Sequence, residues 1–336
     1  MRGSSRRVPI SRILITGAAG FVGYHLASRL LSIGHDVLGL DDLNPYYSVV
    51  LKEARLQRLL SAPRFTFESV DVANAARLYE LAAPFRPDVV VHLAARAGVR
   101  NPGGDPWSYA HSNLTGFVSA LDCCRRIMPR HFIYASSSSV YGSDAIAPYG
   151  EGERADTPMS FYAATKRANE LMAHASAGLH DLHSTGLRFF TLYGPWGRPD
   201  MAYYKFSLEI VQGKPITLHD PGRMWRDFTF IDDAIEAITR LVEIEPDRLP
   251  AADRTPHRVF NVGNAQPVRL IEFVAELERV LGRKAQTLLI DALPGEVLVT
   301  SADTSRLRDA IGFAPNTPVS EGLRHFASWF RSYHDV

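Results

Sequence analysis

Short apolar runs alternate with helical patterns along the first half of the chain. Between the first two runs, residues 21–33 place apolar side chains at helical spacing. Strands that alternate with helices indicate βαβ units with right-handed crossovers. The pattern therefore predicts an α/β fold with a doubly wound parallel sheet. The six predicted strands are 13–15, 37–40, 65–70, 89–91, 132–134 and 187–190.

The pattern changes after about residue 194. A loop with two prolines at 194–199 is followed by shorter, mixed elements that are rich in Pro, Gly and Arg. Residues 231–243 resume a helical pattern, while 245–257 read as an exposed loop. We therefore expect a smaller lobe that closes over the carboxyl edge of the sheet.

A glycine-rich segment follows the first predicted strand. Residues 16–23 read Thr-Gly-Ala-Ala-Gly-Phe-Val-Gly, so the glycines have G-x-x-G-x-x-G spacing. Glycine permits a tight turn and a close backbone approach to a pyrophosphate, which the N-terminus of the next helix attracts. The second strand ends at Asp41, where a carboxylate binds ribose hydroxyls and repels a 2′-phosphate. A plain strand–helix turn is the alternative, but spacing and context favour an NAD site.

Two further residues are candidates for this dinucleotide site. Asp71 follows the third strand, where an adenine contact would lie, although a helix N-cap is an equally good interpretation. Asn113 lies in a helical stretch and either packs under the cofactor or is solvated. With these assignments the chain divides into a disordered tail at 1–10, an NAD-binding Rossmann domain at 11–194 with 226–244 returning to it, and a substrate-binding lobe formed mainly by 195–225 and 245–336.

Composition and charge exclude several classes of protein. Lys and Arg number 37 and Asp and Glu 36, so no global field favours nucleic acid or an anionic membrane. No apolar run is long enough to cross a bilayer, and residues 1–9 lack the apolar core of a secretory signal. The two cysteines, Cys123 and Cys124, are adjacent and form neither a disulfide framework nor a metal site. We expect a cytoplasmic protein without a metal ion.

Tyr162 and Lys166 stand four residues apart in a predicted helix and share one face of it. A free tyrosine has a pKa of about 10 and is a poor base at neutral pH. An adjacent ammonium and a nicotinamide cation would favour the phenolate, and lowering its pKa by about three units requires about 4 kcal/mol. Upstream, a strand ends in the serines 136–139, and a serine there can hydrogen-bond the reacting oxygen.

Taken together, these motifs resemble the extended short-chain dehydrogenase/reductases that act on nucleotide sugars. The resemblance spans about residues 11–330 and rests on the motifs at 16–23, 92–95, 136–142, 162–166 and 188–195. It implies that Ser137 is the catalytic hydroxyl, that Tyr162 is the base and that Lys166 holds the nicotinamide ribose. The NAD contacts it implies are Gly17, Gly20, Phe21, Val22, Gly23, Asp41, Asp71, Val72, Leu93, Ala94, Ala95, Asn113, Tyr162 and Lys166.

The residues that follow Ser137 bear on the reaction type. Dehydratases and decarboxylases of the family carry carboxylates there, whereas this chain has Ser138 and Ser139. Without a carboxylate to act on carbon 5, the resemblance implies simple epimerisation. The sugar would be oxidised at carbon 4, turn over in the site and be reduced on its other face, which regenerates NAD.

The segment 191–201 is similar to UDP-glucuronate 4-epimerases, as are 97–100 and 113–117. The resemblance thus implies conversion of UDP-glucuronate to UDP-galacturonate. A uronic acid needs a cation or several donors for its carboxylate, and Arg198, Thr191 and, more weakly, Arg100 are the candidates. Arg198 could instead be a surface loop residue.

The nucleotide part of the substrate has its own candidate contacts. The resemblance implies a phosphate contact at Arg226, with Arg223 less certain, and a uracil contact at Thr217. Glu296 lies in a turn like the family's ribose-binding turn, where the family more often has Asp. The implied substrate contacts are Arg100, Ser137, Ser138, Tyr162, Thr191, Arg198, Thr217, Arg226 and Glu296.

Other activities and an oligomeric state also follow from the resemblance. The alternatives are a UDP-glucose/UDP-galactose 4-epimerase, a UDP-glucuronate decarboxylase and a non-catalytic NAD-binding scaffold. The last could lose Tyr162 or Lys166, and this chain retains both. In relatives, the helices near 106–127 and 161–178 form a four-helix interface, which implies a homodimer.

Overall fold

The computed structural model describes residues 10–98, 105–220, 224–251, 253–291 and 297–336. The expected tail, apart from its last residue, lies outside this part of the chain, as do the candidates Arg100, Arg223 and Glu296. The strands are β1 Arg12–Thr16, β2 Asp36–Asp41, β3 Phe65–Ser69, β4 Val89–His92, β5 His131–Ser137, β6 Ser184–Phe189, β7 Thr191–Tyr193, β8 Ile216–His219, β9 Trp225–Arg226, β10 Phe228–Phe230, β11 His257–Val262, β12 Val268–Arg269 and β13 Thr287–Ile290.

Helices fill most of the segments between the strands. They are α1 Phe21–Ser32, α2 Val49–Leu60, α3 Ala75–Phe85, α4 Pro106–Tyr109, α5 Gly116–Ile127, α6 Phe161–His180, α7 Ala202–Val211, α8 Ile231–Glu243, α9 Leu270–Leu281, α10 Ser305–Ile311 and α11 Val319–His334. A π-helical segment, Ala110–Thr115, joins α4 to α5, and 3₁₀ turns lie at Ser138–Tyr141 and Pro246–Arg248. In the described ranges, none of these helices has the length and apolar character needed to cross a membrane.

The main sheet confirms the predicted α/β fold. Its strand order is β3-β2-β1-β4-β5-β6-β11, and neighbouring strands are parallel. The order reverses between β1 and β4, which is the switch point where doubly wound sheets bind ligands at their carboxyl edge.

Burial on both faces explains why the strands read as continuous apolar runs. In β1, Ile13 and Ile15 join one apolar cluster, while Leu14 joins the cluster on the opposite face of the sheet. This alternation follows from the two-residue period of a strand. Helices cover both faces, so neither face of β1 can be polar.

Small two-stranded sheets lie outside the main sheet. β7 pairs with β10 in parallel, β9 with β12 in antiparallel and β8 with β13 in parallel. Helix α8 packs against α1 on the main sheet.

One strand departs from the expected division of the chain. β11 pairs with β6 and extends the main sheet, whereas 245–336 was assigned mainly to the smaller lobe. The strand contains His257, Arg258 and Asn261, which are buried yet polar. Those side chains hide the apolar run by which the other strands are recognised.

Candidate active site

A cavity of about 950 Å³ opens at the carboxyl edge of the main sheet. Every described candidate residue lines it except Asn113. The lining candidates are Gly17, Gly20, Phe21, Val22, Gly23, Asp41, Asp71, Val72, Leu93, Ala94, Ala95, Ser137, Ser138, Tyr162, Lys166, Thr191, Arg198, Thr217 and Arg226. The fold thus brings residues as far apart in sequence as Gly17 and Arg226 to one site.

The glycine-rich turn between β1 and α1 leaves no room for side chains. A Cβ on Gly17 would lie 2.8 Å from the Ala94 nitrogen, and Gly17 has a φ of +74°. A Cβ on Gly23 would lie 2.1 Å from the Gly17 carbonyl oxygen. Gly20 is the N-cap of α1 and offers no side-chain acceptor to the first N–H groups of the helix. The turn therefore fits an anion bound at a helix N-terminus.

Asp41 ends β2 beside this turn. Its buried carboxylate accepts hydrogen bonds from the Ala19 nitrogen (3.1 Å) and the Leu43 nitrogen (2.9 Å). Lys52 of α2, which the sequence did not single out, places its ammonium 3.7 Å from this carboxylate. Burial raises the pKa of Asp41, and the charge of Lys52 partly offsets that effect.

Asp71 and Asn113 both hold local structure. The Asp71 carboxylate lies 2.7 Å from His111 Nε2 and accepts from the Ala73 nitrogen. Asn113 accepts from the Arg96 nitrogen (2.7 Å) and donates to the Arg96 oxygen. Asn113 is buried and does not line the cavity, and it fixes the segment that follows β4; its packing under the cofactor stays a prediction.

Ser137, Tyr162 and Lys166 converge on the cavity from β5 and α6. Lys166 is buried, and its ammonium donates to the Ala135 carbonyl oxygen (2.8 Å) and lies 5.9 Å from the centre of the Tyr162 ring. Ser139 donates to the Ser137 hydroxyl (2.9 Å), which orients that hydroxyl. Burial raises the pKa of Tyr162, while the charge of Arg198 and a hydrogen bond with Ser137 lower it in part.

Lys166 gives the site a pH dependence. Burial lowers the pKa of Lys166 to about 8, against the opposing effect of Glu170. The lysine is therefore protonated below that pH and neutral above it, and a neutral lysine no longer stabilises a phenolate. We expect kcat/KM to fall as the pH rises past about 8. A pH–rate profile checks this, and a rate that keeps rising to the pKa of an ordinary lysine would contradict it.

A buried ion pair lies beneath these residues and was not predicted. Glu170, one turn after Lys166, accepts two hydrogen bonds from Arg188 (both 2.8 Å) and one from Ser136 (2.6 Å). Arg167 adds a further contact at 3.0 Å. Burial acts to raise the pKa of Glu170, but the hydrogen bonds and charge of Arg188 keep it below its ordinary value. The network fixes β5 immediately before Ser137.

Glu170→Gln should lower the free energy of unfolding by about 3 kcal/mol, because it leaves Arg188 buried without a counter-charge. Glu80→Gln is a matched control, since Glu80 is exposed and pairs with Arg77 at 3.3 Å on a helix surface. Its expected cost is below about 0.5 kcal/mol. Denaturant unfolding measures both values, and equal losses would show that the buried pair contributes no more than the exposed one.

Arg198 lies in the cavity rather than on the surface, but its guanidinium already binds another residue of the chain. The guanidinium binds Asp200 through Nε (3.0 Å) and Nη2, and Tyr46 donates to the same carboxylate (3.4 Å). Sequence reasoning named Arg198 and missed Asp200, two residues later. A substrate carboxylate would therefore meet an arginine whose charge is balanced.

Thr191, Thr217 and Arg226 line the cavity from the small sheets. Thr191 begins β7, and Thr217 lies in β8. Arg226 donates to the carbonyl oxygens of Trp225 (2.9 Å) and Leu298 (3.2 Å). Among the residues that the structure describes, no cluster of three or more His, Cys, Asp and Glu side chains could hold a metal ion.

Comparisons with known proteins identify relatives along nearly the whole chain. Residues 13–263 match the model of the NAD dependent epimerase/dehydratase family. The chain is 45% identical to Protein CapI of Staphylococcus aureus, over 96% of this chain and 99% of that protein. It is 43% identical to a probable UDP-glucuronate 4-epimerase of Rhizobium meliloti, over 95% and 96%. A UDP-glucuronic acid 4-epimerase from Bacillus cereus, solved with UDP-glucuronic acid and NAD, superposes with a TM-score of 0.87, at 32% identity and with 96% and 99% coverage.

Proposed function

The chain belongs to the NAD dependent epimerase/dehydratase family, and we propose that it interconverts UDP-glucuronate and UDP-galacturonate. It is an NAD-dependent sugar-nucleotide epimerase. The observation that carries the proposal is the serine run at the carboxyl end of β5. Ser138 and Ser139 line the cavity beside Ser137, at the positions where a carboxylate would be needed to act on carbon 5.

NAD is the cofactor, and the residues present fit it. The tight glycine turn leaves space for a pyrophosphate, and the carboxylate of Asp41 is of the kind that binds ribose hydroxyls, which supports the assignment. When bound, NAD accepts the hydride of carbon 4 and returns it. The buried ammonium of Lys166 suits a contact with the nicotinamide ribose.

Tyr162 acts as the base in this proposal. Its phenolate takes the proton of the 4-hydroxyl, and Ser137 hydrogen-bonds the same oxygen. Lys166 and the bound cofactor supply the positive charge that the phenolate requires. The same proton returns to the sugar oxygen once carbon 4 has been reduced on its other face.

The substrate carboxylate must be held firmly at the 4-keto stage. A 4-keto uronic acid is a β-keto acid, and it loses CO₂ when its carboxylate stands perpendicular to the ring carbonyl. We propose that Ser138 and Thr191 donate hydrogen bonds that prevent this geometry. Arg198 assists these donors as part of its ion pair with Asp200.

The test is a product assay with purified protein and UDP-glucuronate, resolved by chromatography and NMR. We expect UDP-galacturonate from the wild type. Thr191→Val should raise KM on the order of tenfold, because it loses one hydrogen bond to a charged group, and should increase the CO₂-loss product. Thr66→Val, on the exposed face of β3, should change neither. UDP-xylose as the main wild-type product, or turnover of UDP-glucose alone, would overturn the proposal.

We propose that the two parts of the chain bind different ligands and that two copies of the chain form a dimer. The Rossmann part holds NAD, and the small two-stranded sheets hold the nucleotide of the substrate through Thr217 and Arg226. Two copies associate through α5 and α6, which contact each other and expose Val118, Leu171 and Leu179. Sedimentation should give a dimer, and a monomer at all concentrations would contradict the assembly.

A further inference from the structure

Arg55 of α2 is a fully buried arginine that the proposed reaction does not use. Its Nη1 donates to the Ala19 carbonyl oxygen (2.9 Å) and to the Tyr47 hydroxyl (2.8 Å). Its Nε and Nη2 donate to the Trp196 carbonyl oxygen (3.1 and 2.6 Å). Nη2 also donates to the Gly197 carbonyl oxygen (3.0 Å).

These partners are all neutral oxygens. Burying a guanidinium without a counter-charge is costly, even when its donors are satisfied. An apolar residue could fill the same volume at lower cost. The arrangement therefore indicates that the role of Arg55 lies in its five directed hydrogen bonds and not in the volume that its side chain fills.

The hydrogen bonds join two loops that are far apart in sequence. Ala19 lies in the glycine-rich turn, one residue before the N-cap of α1. Trp196 and Gly197 immediately precede Arg198 in the cavity. His25 of α1 adds a hydrogen bond to the Pro195 carbonyl oxygen (2.9 Å).

The second loop has a conformation that needs such support. Trp196 has a φ of +58°, in the left-handed region that bulky residues rarely adopt. A Cβ on Gly197 would lie 1.6 Å from the Tyr203 hydroxyl, so the backbone passes very close to α7. Anchoring the Trp196 and Gly197 carbonyls fixes the direction in which Arg198 leaves the loop.

We propose that Arg55 is a positioning residue that couples cofactor binding at the glycine-rich turn to the conformation of the loop 194–201. Ordering of the turn by NAD is passed through the Ala19–Arg55–Trp196 hydrogen bonds to Arg198. The effect on the substrate rests on the proposed function, because it concerns Arg198 beside the uronate carboxylate. The coupling between NAD binding and the loop does not rest on that function.

The first test is amide hydrogen exchange with and without NAD, in the absence of any sugar. In the wild type, NAD should slow exchange in 194–201 on the order of tenfold. In Arg55→Lys, which cannot make five directed hydrogen bonds, NAD should slow the glycine-rich turn but leave 194–201 unchanged. Arg58→Ala is the matched control: Arg58 lies on the same helix and 5.3 Å from the Trp196 ring, without a hydrogen bond to the loop backbone among the described contacts. It should respond like the wild type.

Equal slowing of 194–201 in Arg55→Lys and the wild type would overturn the proposal. If Arg55→Lys and Arg55→Gln both fail to fold, the wild type still tests the proposal. If NAD then leaves exchange in 194–201 of the wild type unchanged, the coupling is excluded. A purely structural role would lower the melting temperature of Arg55→Lys and leave the NAD response of the folded protein intact.

The second test is kinetic. On folded, NAD-loaded Arg55→Lys, kcat for UDP-glucuronate should fall on the order of 10²-fold, because a small misplacement of a binding group has that effect. An unchanged kcat would overturn the consequence for Arg198. If the wild type does not convert UDP-glucuronate at all, the proposed function fails, while the exchange experiment still decides the role of Arg55.

Discussion

Tyr162→Phe should lower kcat on the order of 10³-fold, which is the contribution expected of a positioned general base. The change removes one hydroxyl and keeps the ring, so the contacts of the ring with Tyr109 at 6.4 Å remain. The protein should stay folded and retain NAD, because the glycine-rich turn and Asp41 are untouched. Steady-state kinetics, with the NAD content measured in parallel, checks the result.

Tyr79→Phe serves as the control for this variant. Tyr79 lies on α3, outside the residues that line the cavity, and packs under Arg126. Loss of the Tyr79 hydroxyl should leave kcat unchanged. If Tyr162→Phe retained more than about a tenth of the wild-type rate, another group would be the base.

Gly23→Ala should weaken NAD binding on the order of 100-fold. The added methyl group would lie 2.1 Å from the Gly17 carbonyl oxygen, so the turn or the first turn of α1 must move. Overpacking of this kind costs about 3 kcal/mol. Calorimetric titration of the cofactor-free protein with NAD measures the loss.

The matched control is Gly152→Ala, because a Cβ at Gly152 meets no atom within 4 Å. That variant should bind NAD like the wild type. If both variants bound NAD equally well, the glycine-rich turn would not be the pyrophosphate site.

The sequence predicted the centre of the fold well and its edge poorly. Strands β1, β2 and β4 are buried on both faces, so their residues form apolar runs that can be recognised without knowing their neighbours. β11 was not among the predicted strands, because His257 and Arg258 obscure its pattern. Their burial depends on partners far away in sequence, such as Tyr134 at 2.9 Å from His257.

The candidate site shows the same distinction. Motifs with fixed spacing placed Tyr162 and Lys166 together, because four residues make one helical turn. Asp200, Glu170 and Arg55 were missed because their importance comes from hydrogen bonds across the fold. For Asp200, a carboxylate two residues after a candidate anion-binding arginine was a signal that could have been used.

Oxidation and return of hydride at carbon 4 can be tested most directly by following deuterium through the reaction. UDP-glucuronate deuterated at carbon 4 is incubated with the protein, and the product is examined by NMR and mass spectrometry. We expect UDP-galacturonate that keeps both its carboxylate and the deuterium at carbon 4. Loss of deuterium to water, or formation of a UDP-pentose with release of CO₂, would contradict oxidation and return at carbon 4 in a site that protects the carboxylate.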